Sequence, residues 1–154
     1  ALEPFDLTWI EEPLDAYDAT GHAALAAALD TPIATGEMLT SFLEHARLIE
    51  ARASDFVQPD VPRVGGVTPF LQIMQLADYH GLSLAPHFAM ELHVHMAAVY
   101  PREPWLEHFE WLSPMFNEQP VIRDGRMQVP TAPGLGISIS DLARSYTVDS
   151  VEIR

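Results

Sequence analysis

Five polar residues recur along this chain at intervals of 20 to 27 residues. They are Glu11, Glu37, Asp60, His87 and Glu107. Each of them ends or follows a short run of apolar or β-branched side chains, and amphipathic helical patterns separate most of the five. One strand, one helix and two loops take about 25 residues, so the interval is that of a repeated strand–helix unit. The pattern predicts a parallel α/β fold with a polar side chain at the end of each strand.

The position of these polar residues indicates a barrel. In (β/α)₈ barrels the side chains that carry out chemistry stand at the carboxyl ends of the parallel strands, at one mouth. The five side chains are therefore expected to converge. The chain holds about five such units, whereas a closed barrel needs eight and about 250 residues. Because an open half-barrel exposes a strand edge, we expect the chain to be the C-terminal part of a TIM-like (β/α)₈ barrel in a larger protein.

The sequence around and between the five polar residues predicts alternating strands and helices. Short apolar runs predict strands at residues 7–10, 33–35, 56–57, 82–85 and 105–109. Helices are expected after the first four, the last of them at 90–100. Asp18 or Thr20 is the predicted N-cap of the first helix, and Ser41 with Glu44 forms a capping box for the second.

The third predicted helix follows a glycine pair, Gly65-Gly66, and Gly81 ends it. Its predicted apolar stripe consists of Val67, Phe70, Leu71, Met74 and Ala77. A glycine loop ahead of a helix is able to cradle an anion. This loop matches neither the dinucleotide-binding nor the P-loop pattern, so a tight turn is the favoured interpretation.

The character of the chain changes after Leu112, where proline and glycine residues interrupt the strand–helix period. A hairpin around Asp124-Gly125 and a short helix at 140–145 are expected. We therefore divide the chain into residues 1–112, the C-terminal part of the barrel domain, and residues 113–154, a C-terminal extension.

The chain carries 22 acidic and 8 basic residues, a formal net charge of −14. This balance argues against a nucleic-acid partner and against anionic membrane surfaces, and it is compatible with divalent cations. No cysteine is present, which excludes disulfides and thiolate zinc sites and suits a cytoplasmic protein. No apolar run approaches the ~20 residues of a membrane span, and no signal peptide is visible.

Glu11 and Glu37 are candidate metal ligands, because hard cations such as Mg²⁺ take oxygen ligands and two carboxylates on adjacent strand ends supply part of such a shell. Taken singly, each glutamate is better explained as a solvated loop acid. Their occurrence one strand–helix period apart favours the metal interpretation.

His87 and Asp60 are candidates for proton transfer. Histidine exchanges protons near neutral pH, and an Asp that accepts a hydrogen bond from one ring nitrogen fixes the tautomer and leaves the other nitrogen for a substrate. The alternatives are a structural histidine bonded to a loop carbonyl and a turn aspartate. His93 and His95 are interpreted as structural, with a metal site near Glu91 as the weaker alternative.

Glu107 lies in a mostly apolar predicted strand, where a carboxyl group is costly unless it is paired or protonated. A carboxylic acid kept neutral in such a place can donate a hydrogen bond to developing negative charge. The alternative is a barrel-mouth residue bonded to its neighbours.

Taken as a set, the motifs resemble the enolase superfamily, in its mandelate racemase-like subgroup. The motifs are WIEEP at 9–13, TGE at 35–37, QPD at 58–60 followed by GGVT at 65–68, PH at 86–87 and WLE at 105–107. The longer stretches IATGEMLTS at 33–41, APHFAME at 85–91 and PWLEHFEWL at 104–112 are most similar to acid-sugar dehydratases of that subgroup.

The resemblance implies roles for the five residues. Glu11 and Glu37 would be the second and third ligands of an essential Mg²⁺, and His87, oriented by Asp60, would be an acid/base. Glu107 would donate a hydrogen bond to the enediolate. An Asp ligand, a Lys-x-Lys base and an N-terminal α+β capping domain, toward which the extension returns, would lie upstream. The implied protein is a homo-oligomer that binds a small-molecule acid sugar.

Three functional interpretations follow. The first is an acid-sugar dehydratase, a hydro-lyase that removes the proton α to a carboxylate and expels the β-hydroxyl to give a 2-keto-3-deoxy acid sugar. The second is a racemase or epimerase on the same scaffold, in which His87 returns a proton. The third is a non-catalytic module, or an inactive fragment, that merely keeps barrel-like packing.

Overall fold

The computed structural model describes residues 3–152. Four short strands form one parallel sheet in chain order: β1 (Ile10–Glu11), β2 (Ile33–Thr35), β3 (Phe56–Val57) and β4 (Ser83–Leu84). A helix follows each strand: α1 (Ala19–Ala28), α2 (Phe42–Glu50), α3 (Val67–Tyr79) and α4 (Met90–Ala97). Sequential parallel strands with intervening helices are the order of a (β/α) barrel wall, so the predicted α/β fold class is confirmed.

The strand register brings the strand ends to one edge of the sheet. Glu11 pairs with Ala34, Thr35 with Val57, and Val57 with Leu84. Because the strands are parallel, the loop that follows each of them emerges at the same edge. This edge is where the sequence places its polar residues.

Local sequence signals determine where the first two helices begin. The Asp18 carboxylate accepts a hydrogen bond from the Gly21 N–H at 2.8 Å and caps α1. Ser41 caps α2, since its hydroxyl accepts from the Glu44 N–H at 3.3 Å. The Glu44 carboxylate reaches the Thr40 N–H at 2.7 Å, one residue earlier than in the usual capping box. Both predicted N-caps are confirmed.

The buried face of α3 differs from the predicted stripe. The buried side chains are Phe70, Ile73, Met74 and Ala77. This i, i+3, i+4, i+7 spacing describes one helix face. Val67, in the first turn, is 45% exposed, and Leu71, turned about 100° from Phe70, is 36% exposed. Their assignment to the stripe is wrong, and Ile73 belongs in it.

The predicted strand at 105–109 does not form in the described structure. One backbone hydrogen bond, from the Trp105 N–H to the Leu84 carbonyl at 2.9 Å, attaches this segment to β4. The next bond of a parallel ladder would run from the N–H of residue 86 to the Trp105 carbonyl, and Pro86 has no N–H to donate. The segment nevertheless runs beside β4 and brings Glu107 to the edge of the sheet at which the strands end.

The C-terminal extension contains the two elements predicted for it, a hairpin and a short helix. A hairpin joins β5 (Ile122–Arg123) to β6 (Arg126–Met127), and α5 (Asp141–Ser145) follows. Asp124 and Gly125 both adopt positive φ, 51° and 72°, as a two-residue turn of the I′ type requires. The hairpin and the short helix are therefore confirmed.

The hydrophobic core belongs to the strand–helix region. Among the described residues, the buried hydrophobic side chains all lie between Ile33 and Tyr100. The main cluster joins α2, α3, β3 and β4 and includes Ile49, Val57 and Phe70. No helix within residues 3–152 is both long enough and apolar enough to cross a bilayer.

Candidate active site

The loops after the four strands bring the sequence-predicted polar residues to one rim. Glu11 ends β1, whereas Glu37, Asp60 and His87 follow β2, β3 and β4 respectively. Glu107 enters from the extended segment beside β4 and accepts a hydrogen bond from the Phe88 N–H. The rim therefore collects side chains that are distant in sequence.

His87 and Asp60 form a hydrogen-bonded pair. The His87 Nδ1 lies 2.9 Å from the Asp60 Oδ2, and Asp60 is 4% exposed. The other carboxylate oxygen of Asp60 accepts from the Arg63 N–H at 3.1 Å. Because an ionised carboxylate only accepts hydrogen bonds, the proton sits on Nδ1 and leaves Nε2 free for a substrate. The contact expected from the sequence is present.

The imidazole also faces a carboxylate across the rim. The His87 Nε2 lies 3.8 Å from the Glu37 Oε2, and both side chains are about one-quarter exposed. Burial raises the pKa of Glu37 above its usual range. The charge on His87 lowers this pKa, whereas the neighbouring carboxylates of Glu12, Glu11 and Glu107 raise it further. Glu37 therefore lies where negative charges crowd together.

Glu11 is held on two sides by its neighbours. Its Oε2 accepts hydrogen bonds from the Gln58 Nε2 at 2.8 Å and from the Trp9 Nε1 at 3.1 Å. Trp9 in turn contacts the rings of Phe56 and Trp105, with ring centroids 4.9 and 5.6 Å away. These contacts fix the direction of the Glu11 carboxylate.

Glu12 is a rim residue that sequence reasoning missed. Its backbone adopts a positive φ of 36°, and its Oε1 accepts from the Thr35 hydroxyl at 3.2 Å and the Gly36 N–H at 3.4 Å. It ties the loop after β1 to the loop after β2. The adjacent carboxylates in the WIEEP motif were the available signal, but their side-chain directions depend on the unusual backbone at Glu12.

The carbonyl of Met38 connects three loops of the rim. It accepts from the Tyr17 hydroxyl at 3.2 Å and from the Arg63 guanidinium at 3.1 Å. Tyr17 belongs to the loop after β1 and Arg63 to the loop after β3. The rim is therefore held by hydrogen bonds between consecutive loops as well as by the sheet.

His93 and His95 occupy different environments. His93 is fully buried, and its Nε2 accepts a hydrogen bond from the Val61 N–H at 3.0 Å, in agreement with its interpretation as a structural histidine. His95 is bonded to the Leu135 carbonyl at 3.0 Å. No group of three histidine or acidic side chains within residues 3–152 is arranged to hold a metal ion.

The carboxylates of the rim nonetheless suit a hard cation. Burial raises the pKa of Glu37, and the carboxylates of Glu12, Glu11 and Glu107 raise it further, so several acidic groups share this part of the rim. A divalent cation with oxygen ligands and bound water would offset the negative charge of these groups. Glu11 and Glu37 are the candidate ligands expected from the sequence, whereas the Glu12 Oε1 is bonded to the Thr35 hydroxyl and the Gly36 N–H.

Comparisons with known proteins give a consistent result. Residues 1–143 match the model of the enolase C-terminal domain-like family. The chain is 68% identical over 146 residues to an L-talarate/galactarate dehydratase from Salmonella typhimurium, covering 95% of this chain and 37% of that protein. It is 33% identical over 156 residues to a D-galactonate dehydratase from Ralstonia nicotianae, covering 92% and 41%.

A solved structure with the same fold is L-talarate dehydratase from Polaromonas sp. JS666, complexed with Mg and L-glucarate. Its TM-score is 0.93 at 68% sequence identity, over 96% of this chain and 41% of that one. The chain thus spans about two-fifths of the length of the relatives it matches. The resemblance read from its motifs is confirmed: the chain belongs to the enolase C-terminal domain-like family, within the mandelate racemase/enolase superfamily.

Proposed function

We propose that the protein to which this chain belongs is a Mg²⁺-dependent acid-sugar dehydratase of the L-talarate/galactarate dehydratase type. The observation that carries the proposal is the His87–Asp60 pair, which directs the His87 Nε2 across the rim toward Glu37 at 3.8 Å. The 68% identity to an L-talarate/galactarate dehydratase supports this choice of substrate class.

Glu11 and Glu37 would hold the cation, with a third protein ligand, an Asp, supplied from outside this chain. When bound, Mg²⁺ supplies positive charge beside the substrate carboxylate and so lowers the cost of removing the neighbouring proton. The contacts of Glu11 with Gln58 and Trp9 keep its carboxylate in a fixed direction. The Glu11 carboxylate would therefore be oriented before the ion arrives.

His87 would act as the general acid. A base outside this chain, a lysine by family resemblance, would take the α-proton, and the electron pair of that C–H bond would form the enediolate. That electron pair would then form the C=C bond, with the carboxylate restored, as the β-C–O bond breaks. In its cationic form the His87 ring also carries a proton on Nε2, and it would donate that proton to the departing hydroxyl, which leaves as water. The enol then tautomerises to the 2-keto-3-deoxy acid sugar. Asp60 stabilises the cationic ring and holds it in this direction.

Glu107 would assist at the substrate carboxylate. Its Oε2 accepts from the Phe88 N–H, and Phe88 follows His87 directly. This bond couples the position of Glu107 to that of the imidazole. A hydrogen bond donated by the other oxygen of a protonated Glu107 would stabilise developing negative charge.

The same proposal extends to the organisation of the protein. Residues 1–112 would form the C-terminal part of the barrel domain, and 113–154 an extension that packs toward an N-terminal capping domain. Ser140 is the one buried residue in the described part of that extension. The other described side chains of the extension are at least partly exposed and are available to a partner surface. We expect a cytoplasmic homo-oligomer.

A direct assay tests the function. The full-length protein, with Mg²⁺, is incubated with galactarate or L-talarate in D₂O, and keto-acid formation and deuterium incorporation are followed together. Dehydration predicts a 2-keto acid, and His87→Asn, with an uncharged amide at this position, should form it about 10³- to 10⁴-fold more slowly. Deuterium uptake without keto acid would replace dehydration by epimerisation, and no reaction with either acid would contradict the substrate class.

A further inference from the structure

We propose that His93 is a positioning residue, which holds Asp60 in place for His87 by fixing the backbone of Val61. The inference rests on the proposed function only for its kinetic readout. Its geometry is independent of the substrate. His93 touches neither the reacting atoms nor the candidate metal ligands, and it acts through the next residue after Asp60.

The hydrogen bond itself defines the protonation of His93. The ring is fully buried in α4, and its Nε2 accepts from the Val61 N–H at 3.0 Å. An atom that accepts this bond carries no proton, so the ring is neutral with its proton on Nδ1. Burial favours the same state, because it lowers the pKa of His93 to about 4.

The bond links the two loops that carry the proton-transfer pair. Val61 follows Asp60 in the loop after β3, whereas His93 lies in the helix that begins just after His87. The side chains of His87 and Asp60 meet at 2.9 Å, and the His87 N–H also donates to the Pro59 carbonyl at 3.2 Å. The His93–Val61 bond is thus a buried cross-link beneath the catalytic contact.

A comparison among the four helices shows that this use of the ring is particular to α4. The fourth residue after each N-cap is a fully buried ring: His22, His45, Phe70 and His93. The Nδ1 atoms of His22 and His45 bond to the N-cap carbonyls of their own helices, Asp18 and Ser41, each at 3.0 Å. His93 instead reaches a backbone N–H of the preceding strand–helix unit.

Packing alone does not account for a histidine at this position. The ring stacks on Phe70 with centroids 5.4 Å apart and planes 17° from parallel, a contact that a phenylalanine would also make. What phenylalanine lacks is the acceptor. Without it the buried Val61 N–H is unsatisfied, and the loop carrying Asp60 must shift to find a partner.

The test compares His93→Phe, His93→Gln and His93→Asn in the full-length protein with Mg²⁺. Phenylalanine keeps the ring, and glutamine places an acceptor near the position of Nε2, whereas asparagine is too short. We expect His93→Phe and His93→Asn to lower kcat about 10- to 100-fold, at unchanged KM and Mg²⁺ affinity. His93→Gln should restore most of kcat. Phe70→Leu is the control, which should lower Tm without a matching loss of kcat.

Histidine ¹⁵N NMR gives a readout that does not depend on turnover. In the wild type His87 should be the Nδ1-protonated tautomer, and in His93→Phe or His93→Asn a mixture. If the wild type fails to dehydrate acid sugars, this measurement alone decides the inference. A kcat within about twofold of wild type in His93→Asn, with His87 unchanged, would overturn it. So would a loss in His93→Gln equal to that in His93→Asn.

Discussion

The two sides of the rim differ in how completely this chain supplies the hydrogen-bond partners and the opposite charges that their side chains need. On the imidazole side, formed by Asp60 and His87, the aspartate accepts from both His87 and the Arg63 N–H. On the carboxylate side, formed by Glu11, Glu12 and Glu37, like charges face one another, and burial together with these charges raises the pKa of Glu37. The first side is assembled by the chain itself, and under the proposed function the second would receive a cation.

The difference predicts that the two sides fail in different ways. Changes on the imidazole side should affect the chemical step and leave metal binding intact. Changes on the carboxylate side should affect metal binding first.

Replacing the imidazole should have the largest effect. His87→Asn keeps a polar side chain but removes the group that protonates the leaving hydroxyl. We expect kcat for dehydration by the full-length protein to fall about 10³- to 10⁴-fold, since general acid catalysis contributes up to this amount. Calorimetric Mg²⁺ titration should be unchanged. Retained turnover would remove His87 from the mechanism.

The buried His93 predicts a pH dependence of stability. Its pKa is about 4 in the folded protein and near 6.5 when unfolded, so between these values the unfolded state binds the extra proton. The contribution of His93 to the free energy of unfolding is therefore fully present above pH 6.5. As the pH falls toward 4, the free energy of unfolding decreases by up to about 3 kcal/mol. Urea unfolding of wild type and His93→Gln at pH 7.5 and 5 measures it. Equal losses in both proteins would contradict the prediction.

Asp60→Asn tests orientation without removing the imidazole. An amide can donate as well as accept, so the His87 ring loses its preference for the Nδ1-protonated tautomer. The ring also loses the negative charge that stabilises its cationic state. We expect kcat to fall about 100-fold, less than for His87→Asn, with KM nearly constant. An effect confined to KM would mean that Asp60 serves substrate binding instead.

The carboxylate side is tested by Glu37→Gln, with Glu12→Gln as its matched control. Removing one charge from a candidate ligand should weaken Mg²⁺ binding about tenfold, whereas Glu12, bonded to Thr35 and Gly36, should matter less. Isothermal titration of the full-length variants with Mg²⁺ measures both. Equal affinities for Glu37→Gln and wild type would exclude Glu37 as a ligand.

Much of this geometry was predictable because its causes are local or periodic. The spacing of Glu37, Asp60 and His87 follows the strand–helix repeat, and parallel pairing turns a regular spacing into a common edge. The N-cap at Ser41 and the turn at Asp124-Gly125 depend on side chains a few residues away. In such cases all the residues that determine the local structure lie within a few positions of one another, so the sequence alone predicts it.

The features that were missed depend on partners distant in sequence. His93 contacts Val61 through a bond between two units, which no local pattern indicates. The direction of Glu12 depends on its positive φ and on its hydrogen bonds with Thr35 and Gly36 in the next strand–helix unit. Leu71 is apolar at a position that fits the helical period, yet the face that the sheet and α2 cover is centred on Ile73. Tertiary packing decided each of these cases.

The central claim is that an ion held by the carboxylate side lies beside the imidazole side. The most direct measurement is ¹H–¹⁵N NMR of the full-length protein, histidine-labelled, with Mn²⁺ in place of Mg²⁺, since Mn²⁺ takes the same oxygen ligands. The claim predicts that stoichiometric Mn²⁺ broadens the His87 ring signals first, and that Glu37→Gln weakens this effect. Undisturbed His87 signals at saturating Mn²⁺ would contradict it.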